Sequence, residues 1–319
     1  MRNLGPILVY SKYTHDLPRF RQLLAEALPG VEINCAGAEE QAVPFLENTK
    51  ILYGWGFRPD LLRKMPSLRW VQKMGAGVDD IVGAWPFGPE VILTRTDGRL
   101  IATRMAEYVA AALLDRTSRF DLARDQQKNR SWKYYEVGSI AEKTIGVAGL
   151  GEIGSDIVSI LRALGANVIG WRRSQVDTPD VTRLFIGDDQ LGSFVGSSDA
   201  VVLVLPLTKD TDSLFNEKIF RQFKRGSHLI NVGRGGVIVE DHLLRALDQG
   251  QIEHATLDVF RTEPLPQGHP FWDHPKVMVT PHICGPLVPE KVVPHFVANY
   301  EAFAAGFTLK NLIDVKRQY

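Results

Sequence analysis

Short apolar, β-branched runs recur along the first hundred residues with polar, helix-compatible stretches between them. Pro6–Tyr10, Val31–Cys35, Ile51–Gly54 and Trp70–Lys73 read as strands. Asp16 is placed to cap a helix from Leu17 to about Leu28, which Pro29-Gly30 stops. This alternation predicts a small parallel α/β sheet. From Met105 to about Leu122 the period becomes helical, with Ala106, Val109, Ala110, Leu113 and Leu114 on one broad apolar side. That side suits packing within the subunit or against a second copy. After a polar and aromatic stretch, Asn129–Tyr135, the alternation resumes. Thr144–Ala148, Asn167–Trp171, Ala200–Leu205, Ser227–Val232, His254–Val259 and Val277–Thr280 read as six buried strands. Ser155–Leu164, Asn216–Phe223 and Glu240–Gln249 are helix-compatible connections. The pattern predicts a Rossmann-type doubly wound parallel sheet.

Composition narrows the partners. A chain of 319 residues, 45% apolar, is long enough for about two domains. Its 37 basic residues balance 37 acidic ones, so charge gives no reason to expect nucleic acid or a membrane surface. Cys35 and Cys284 form neither a metal spacing nor a disulfide framework, and no metal is expected. Met1-Arg2-Asn3 leads into a strand without a signal-like apolar region, and no apolar run approaches the ~20 residues of a membrane span. The expectation is a cytoplasmic protein.

The first of the six strands ends in Gly149-Leu150-Gly151-Glu152-Ile153-Gly154 and runs on into a helix. In that context each glycine of a GxGxxG has one job. Gly149 allows the tight turn, Gly151 lets backbone N–H groups approach a pyrophosphate, and Gly154 lets helix and strand pack closely. The helix N-terminus adds unpaired donors and the positive end of its dipole. Where an NAD site usually places an acid, about 20 residues on, this chain has Trp171-Arg172-Arg173-Ser174, and no acid until Asp177. Two guanidiniums and a hydroxyl suit a 2′-phosphate, so NADPH is the preferred coenzyme and NADH a possible one. A solvated basic corner is the plainer reading of the same residues.

Ligands of such sheets bind at the carboxyl ends of the strands, and there the chemistry-bearing residues gather. Gly233-Arg234-Gly235 ends one strand and Asp258 to Glu263 follows the next. Pro281-His282 follows the last. An anion clamp, a carboxylate and a proton donor are the groups needed to reduce a carbonyl beside a carboxylate. In the first region, Gly75-Ala76-Gly77-Val78-Asp79 has the glycines of a backbone nest for a small carboxylate, although a plain strand-to-helix turn reads the same way. Trp55, flanked by Gly54 and Gly56, could wall a pocket or simply belong to the core.

Taken together, Gly149–Gly154, Asn231-Val232-Gly233-Arg234-Gly235, Leu257-Asp258-Val259-Phe260 with Glu263-Pro264, and Thr280-Pro281-His282 resemble the D-isomer-specific 2-hydroxyacid dehydrogenase family. The intervals from Arg234 to Glu263 and from Glu263 to His282 are similar to its glyoxylate/hydroxypyruvate reductase A branch. So are Gly75–Asp79, Trp55, the arginine pair and the tail Asp314–Tyr319. The resemblance implies a smaller flavodoxin-like α/β substrate domain, residues 1–103 plus 288–319. Into it the coenzyme domain, residues 104–287, is inserted. It implies NADPH-dependent reduction of glyoxylate to glycolate and of hydroxypyruvate to D-glycerate, with (R)-hydroxy acids as chiral products. His282 would be the proton donor, Glu263 its partner and Arg234 the carboxylate clamp and carbonyl polariser. Ala76, Gly77 and Trp55 would contact the substrate. Leu205 and Pro206 would lie near the adenosine, Asp258 would meet the nicotinamide carboxamide, and Val232, Gly233, His282 and Gly285 would also bind coenzyme. A homodimer built on the helix near 105–122 is implied too, with Trp132 reaching toward the partner. One departure stands out: Ile283-Cys284-Gly285-Pro286-Leu287 replaces the small residues usual after the histidine, and Pro286 removes a backbone donor. The alternatives are an NAD(H)-linked dehydrogenase for larger 2-keto acids, a dinucleotide-sensing protein-binding module, and a coenzyme-binding module with a dead site.

Overall fold

The structure, a computed structural model, describes residues 4–12, 16–174 and 180–315. Met1–Asn3, Asp177 and the tail residues 316–319 lie outside the described residues. The chain divides into two compact units, Met1–Leu100 with Leu287–Tyr319, and Ile101–Pro286.

The first unit holds β1 (Ile7–Ser11), β2 (Ile33–Ala36), β3 (Ile51–Trp55), β4 (Trp70–Lys73) and β5 (Ile92–Arg95). They pair in parallel in the order β2-β1-β3-β4-β5, the flavodoxin-like order. Alternation along each strand sends neighbours to opposite faces. Leu8, Tyr10, Leu52, Val71 and Leu93 enter one core, while Ile7, Val9, Ile51, Tyr53 and Trp70 enter the other. Both faces are covered, which is why the strands read as unbroken apolar runs. The helix Pro289–Ala305 completes the second core. Its Phe296 stacks on Tyr53 at 4.4 Å and on Trp70 at 5.0 Å between ring centroids. β5 has no counterpart among the strands expected from sequence. It is four residues long and buried only at its two central positions, too short to show a period. Asp16 precedes the helix Leu17–Ala27, but its side chain does not cap the first turn, which carries a proline instead.

The second unit is a seven-stranded parallel sheet: β6 (Thr144–Ala148), β7 (Asn167–Arg172), β8 (Arg183–Ile186), β9 (Ala200–Leu203), β10 (Ser227–Asn231), β11 (Ile252–Leu257) and β12 (Val277–Val279). Its order, β12-β11-β10-β9-β6-β7-β8, is the doubly wound one with an added edge strand. The seventh strand beyond the six expected is β8, an edge strand with only Phe185 buried. Arg183 lies over that ring at 4.3 Å, a pairing that conceals the strand pattern. The chain reverses direction across the sheet between β8 and β9, so the crevice at the carboxyl ends of β6 and β9 is the switch point where doubly wound sheets take ligands. The long helical stretch is two helices, Arg99–Thr117 and Phe120–Lys128, broken where Arg119 turns left-handed at φ 52°. Among the described residues no helix is long and apolar enough to cross a membrane.

Candidate active site

The glycine turn after β6 has the three features its sequence calls for. Gly149 sits at φ +100°, and a Cβ there would meet the Val204 carbonyl oxygen at 2.6 Å. At Gly154 a Cβ would collide with the Gly149 carbonyl oxygen, so helix and strand approach as no side chain would permit. Gly151 faces open space, and a methyl group added there would meet nothing within 4 Å. The helix starts at Glu152, three residues before Ser155, because the last glycine of the motif already lies within its first turn. Its leading N–H groups therefore face outward beside Gly151 without an i−4 carbonyl to take them. Leu150 turns the other way and packs on Gly170 of β7. A cradle of this kind fits a dinucleotide pyrophosphate, which needs close backbone approach and donors rather than side chains.

At the end of β7, Arg172 is half-buried and Arg173 and Ser174 are exposed. Arg173 is engaged on both edges of its guanidinium, with Asp188 at 3.0 Å and Asp210 at 2.7 Å. Leu205 is part of the core and Pro206 is exposed on the loop after β9.

β10, β11 and β12 are neighbours in the sheet and deliver the other three groups. Val232 and Gly233 are buried; a Cβ on Gly233 would strike the Leu205 backbone at 2.7 Å. Gly235 is closer still to its neighbour, and a Cβ there would overlap the Phe260 carbonyl carbon. The glycines on either side of Arg234 thus let its loop lie flat on adjacent strand ends, and its half-buried side chain donates from Nη1 to the Gly233 carbonyl at 2.9 Å. Glu263 accepts from the Phe260 N–H at 3.0 Å through Oε1 and lies 2.8 Å from His282 Nδ1 through Oε2. A carboxylate accepts, so Nδ1 carries the proton in this pair. Burial acts to raise the Glu263 carboxyl. The hydrogen bond and charge of His282, the Phe260 N–H and the charge of Arg234 outweigh it, and the group stays below its ordinary range.

His282 holds a left-handed backbone, φ 54°, which non-glycine residues seldom adopt. Asp258 is what holds it there. This residue is fully buried, and its carboxylate accepts from the N–H groups of Ile283 at 2.9 Å and Cys284 at 3.0 Å and from the Thr280 hydroxyl at 2.6 Å. Its carbonyl takes the His282 N–H at 2.9 Å. Since the Thr280 proton goes to Asp258, the Tyr108 phenol must donate to Thr280, at 2.6 Å. Burial pushes that phenol up to about 12, which keeps its proton in place. A directed chain from the helix Arg99–Thr117 therefore anchors the histidine loop, and a Cβ on Gly285 would crowd the Ile101 and Met105 side chains at 3.3 Å. The sequence motifs assign Asp258 no such role, include Thr280 only as the start of the Thr280-Pro281-His282 run, and leave out Tyr108. Hydroxyls next to the strand end are the only signal that the sequence offers. Burial raises the Cys284 thiol far above its ordinary value, so it packs as an apolar group.

Trp55, Ala76 and Gly77 lie in the first unit. Trp55 ends β3 and is half-buried against that unit's core. Ala76 and Gly77 are half-exposed, and neither N–H donates to an acceptor among the described residues.

A family model described as D-isomer specific 2-hydroxyacid dehydrogenase, NAD binding domain, matches residues 110–284. The chain is 37% identical over 276 residues, 84% of its length and 87% of the other's, to glyoxylate/hydroxypyruvate reductase A of Serratia proteamaculans. It is 35% identical over 272 residues, 83% of its length and 86% of the other's, to the protein of the same name from Yersinia enterocolitica. Among solved structures, the NADPH-dependent glyoxylate/hydroxypyruvate reductase of Sinorhizobium meliloti, in complex with NADP and sulfate, superposes with a TM-score of 0.89 at 32% identity. That match covers 99% of this chain and 100% of that one. A D-isomer specific 2-hydroxyacid dehydrogenase from Xanthobacter autotrophicus, in complex with NADPH and MES, gives 0.86 at 32% identity and covers 99% of both. Fold, site and matches define an NAD(P)-dependent oxidoreductase. The chain belongs to the D-isomer specific 2-hydroxyacid dehydrogenase family, and its likeness to the reductase A branch, read first from motif spacing, extends over most of its length.

Proposed function

We propose that this protein reduces small 2-keto acids with NADPH, glyoxylate to glycolate and hydroxypyruvate to D-glycerate, using His282 as proton donor. The observation that carries this is the 2.8 Å pair of Glu263 and His282 on the same sheet edge as an open glycine cradle. Gly151, Glu152 and Ile153 would hold the pyrophosphate, and Arg172, Arg173 and Ser174 the 2′-phosphate. When bound, the reduced nicotinamide supplies the hydride for C2 of the keto acid. Arg234 binds the substrate carboxylate and stabilises the negative charge that develops on the carbonyl oxygen. His282, oriented through Nδ1 by Glu263, delivers a proton from Nε2 to that oxygen and regains one from solvent. The contacts of Trp55, Ala76 and Gly77 with substrate rest on the family resemblance and, for the last two, on N–H groups without an acceptor among the described residues. The relatives named above, reductases of these two acids and structures holding NADP or NADPH, favour this reading over larger substrates and NADH.

The same reading includes a homodimer. Phe120, Trp132, Tyr134 and Val137 are at least half exposed, with Trp132 wholly so, and they fall within one stretch after the long helix. Four large apolar side chains in one exposed segment mark an interaction surface rather than scattered surface residues. Following the absorbance of reduced coenzyme with glyoxylate, hydroxypyruvate, pyruvate and phenylpyruvate tests the substrate assignment. Turnover of the first two with NADPH is expected. Turnover confined to phenylpyruvate, or faster with NADH, would refute it.

A further inference from the structure

Arg173 is one of the three residues from which NADPH selection is read, yet the structure shows it holding two carboxylates. Nε and Nη2 face Asp188 at 3.2 and 3.0 Å, the forked edge with which a guanidinium grips a phosphate, and Nη1 faces Asp210 at 2.7 Å. The three residues come from three loops. Arg173 follows β7. Asp188 follows β8 and is fixed by the Gly187 N–H, which donates to the Arg172 carbonyl at 3.0 Å. Asp210 lies on the loop after β9, whose turn is pinned by Thr211 Oγ1 donating to the Pro206 carbonyl at 2.6 Å and accepting from the Thr208 N–H at 2.8 Å. β7 and β9 flank β6 on opposite sides. The Arg173–Asp210 pair therefore ties together loops that follow the strands on either side of β6.

We propose that Asp188 and Asp210 determine coenzyme specificity by occupying Arg173 in place of a 2′-phosphate. Resting on the NADPH reading, this assigns binding of the phosphorylated coenzyme to an ion exchange: the 2′-phosphate takes the Nε/Nη2 edge, Asp188 and Asp210 return to water, and the tie between the β7 and β9 loops opens. No covalent bond changes. NADH carries no group that competes for the guanidinium, so the carboxylates oppose only the phosphorylated coenzyme. They act as a tuning element that holds the NADPH preference below what the arginine alone would give. Both carboxylates are more than half exposed, which keeps the exchange cheap enough to occur on binding.

The test is a titration of the wild type and the Asp188→Asn/Asp210→Asn double variant with NADPH, NADH, adenosine 2′,5′-bisphosphate and 5′-AMP, read by calorimetry. The double variant is expected to bind NADPH and the 2′,5′-bisphosphate about fivefold to tenfold tighter, with NADH and 5′-AMP within twofold of wild type. Unchanged or weaker NADPH binding would overturn the proposal. Equal tightening of NADH would do so as well, because it would make the tie a simple obstruction. A wild type without preference for NADPH over NADH would defeat the NADPH reading itself, an outcome distinct from a preferring wild type whose ratio the substitutions leave unmoved.

Discussion

His282 acts through three constraints that arrive from different parts of the chain. Glu263 fixes the ring, Asp258 fixes the backbone, and the charge of Arg234 helps to keep Glu263 ionised. Replacing Glu263 with Gln keeps the shape but removes the charged acceptor that orients the ring through Nδ1. Turnover should fall by about tenfold or more while NADPH affinity stays near wild type, measured by steady-state kinetics beside a binding titration. An equal loss of NADPH affinity would mean that Glu263 serves the fold rather than the proton transfer. The roles of Gly149, Gly151 and Gly154 are legible from sequence because a backbone turn leaves its demands in adjacent residues. The service of Asp258 to the histidine loop is not, and neither is the hold of Asp188 and Asp210 on Arg173. Each joins residues far apart in the chain that meet only once the sheet has formed.

At the scale of elements, the strands buried on both faces are readable and the marginal ones are not. β1 is buried at all five positions, whereas β5 and β8 owe their place to pairing with neighbours that the chain provides elsewhere. The amino ends of β10 and β11 carry a different property. His228 and His254 meet edge to face at 5.1 Å between centroids. Burial, with Arg116 adding to it against Asp115 and Asp121, lowers His254 to about 4, and burial pushes His228 in the same direction. An unfolded chain takes up those protons near the ordinary histidine range of about 6.5. The stabilisation is thus complete above that value and is lost as the pH falls toward 4, where the folded state must also accept the proton. Thermal melting followed from pH 7 to pH 4.5 should show a falling midpoint, and His254→Gln should flatten that fall. An identical slope in the variant would shift the cause to carboxylates.

For the molecule as a whole, the first sheet is completed by the far end of the chain. Phe296, seated between Tyr53 and Trp70, makes the C-terminal helix part of the first unit's core. Phe296→Ala should destabilise that unit by about 3–5 kcal/mol, seen as an early phase in chemical denaturation. A single transition at the wild-type midpoint would contradict it. The exposed aromatic segment predicts association at the same scale: sedimentation should give a dimer, and Trp132→Ser with Tyr134→Ser should weaken it. A wild-type monomer at all concentrations would dismiss that surface. The most direct measurement of all compares single-turnover oxidation of NADPH by wild type and His282→Ala in the presence of glyoxylate or hydroxypyruvate. A loss of at least about 10²-fold in rate with coenzyme binding retained is expected of a proton donor. An unchanged rate would show that the proton reaches the carbonyl oxygen from somewhere other than His282.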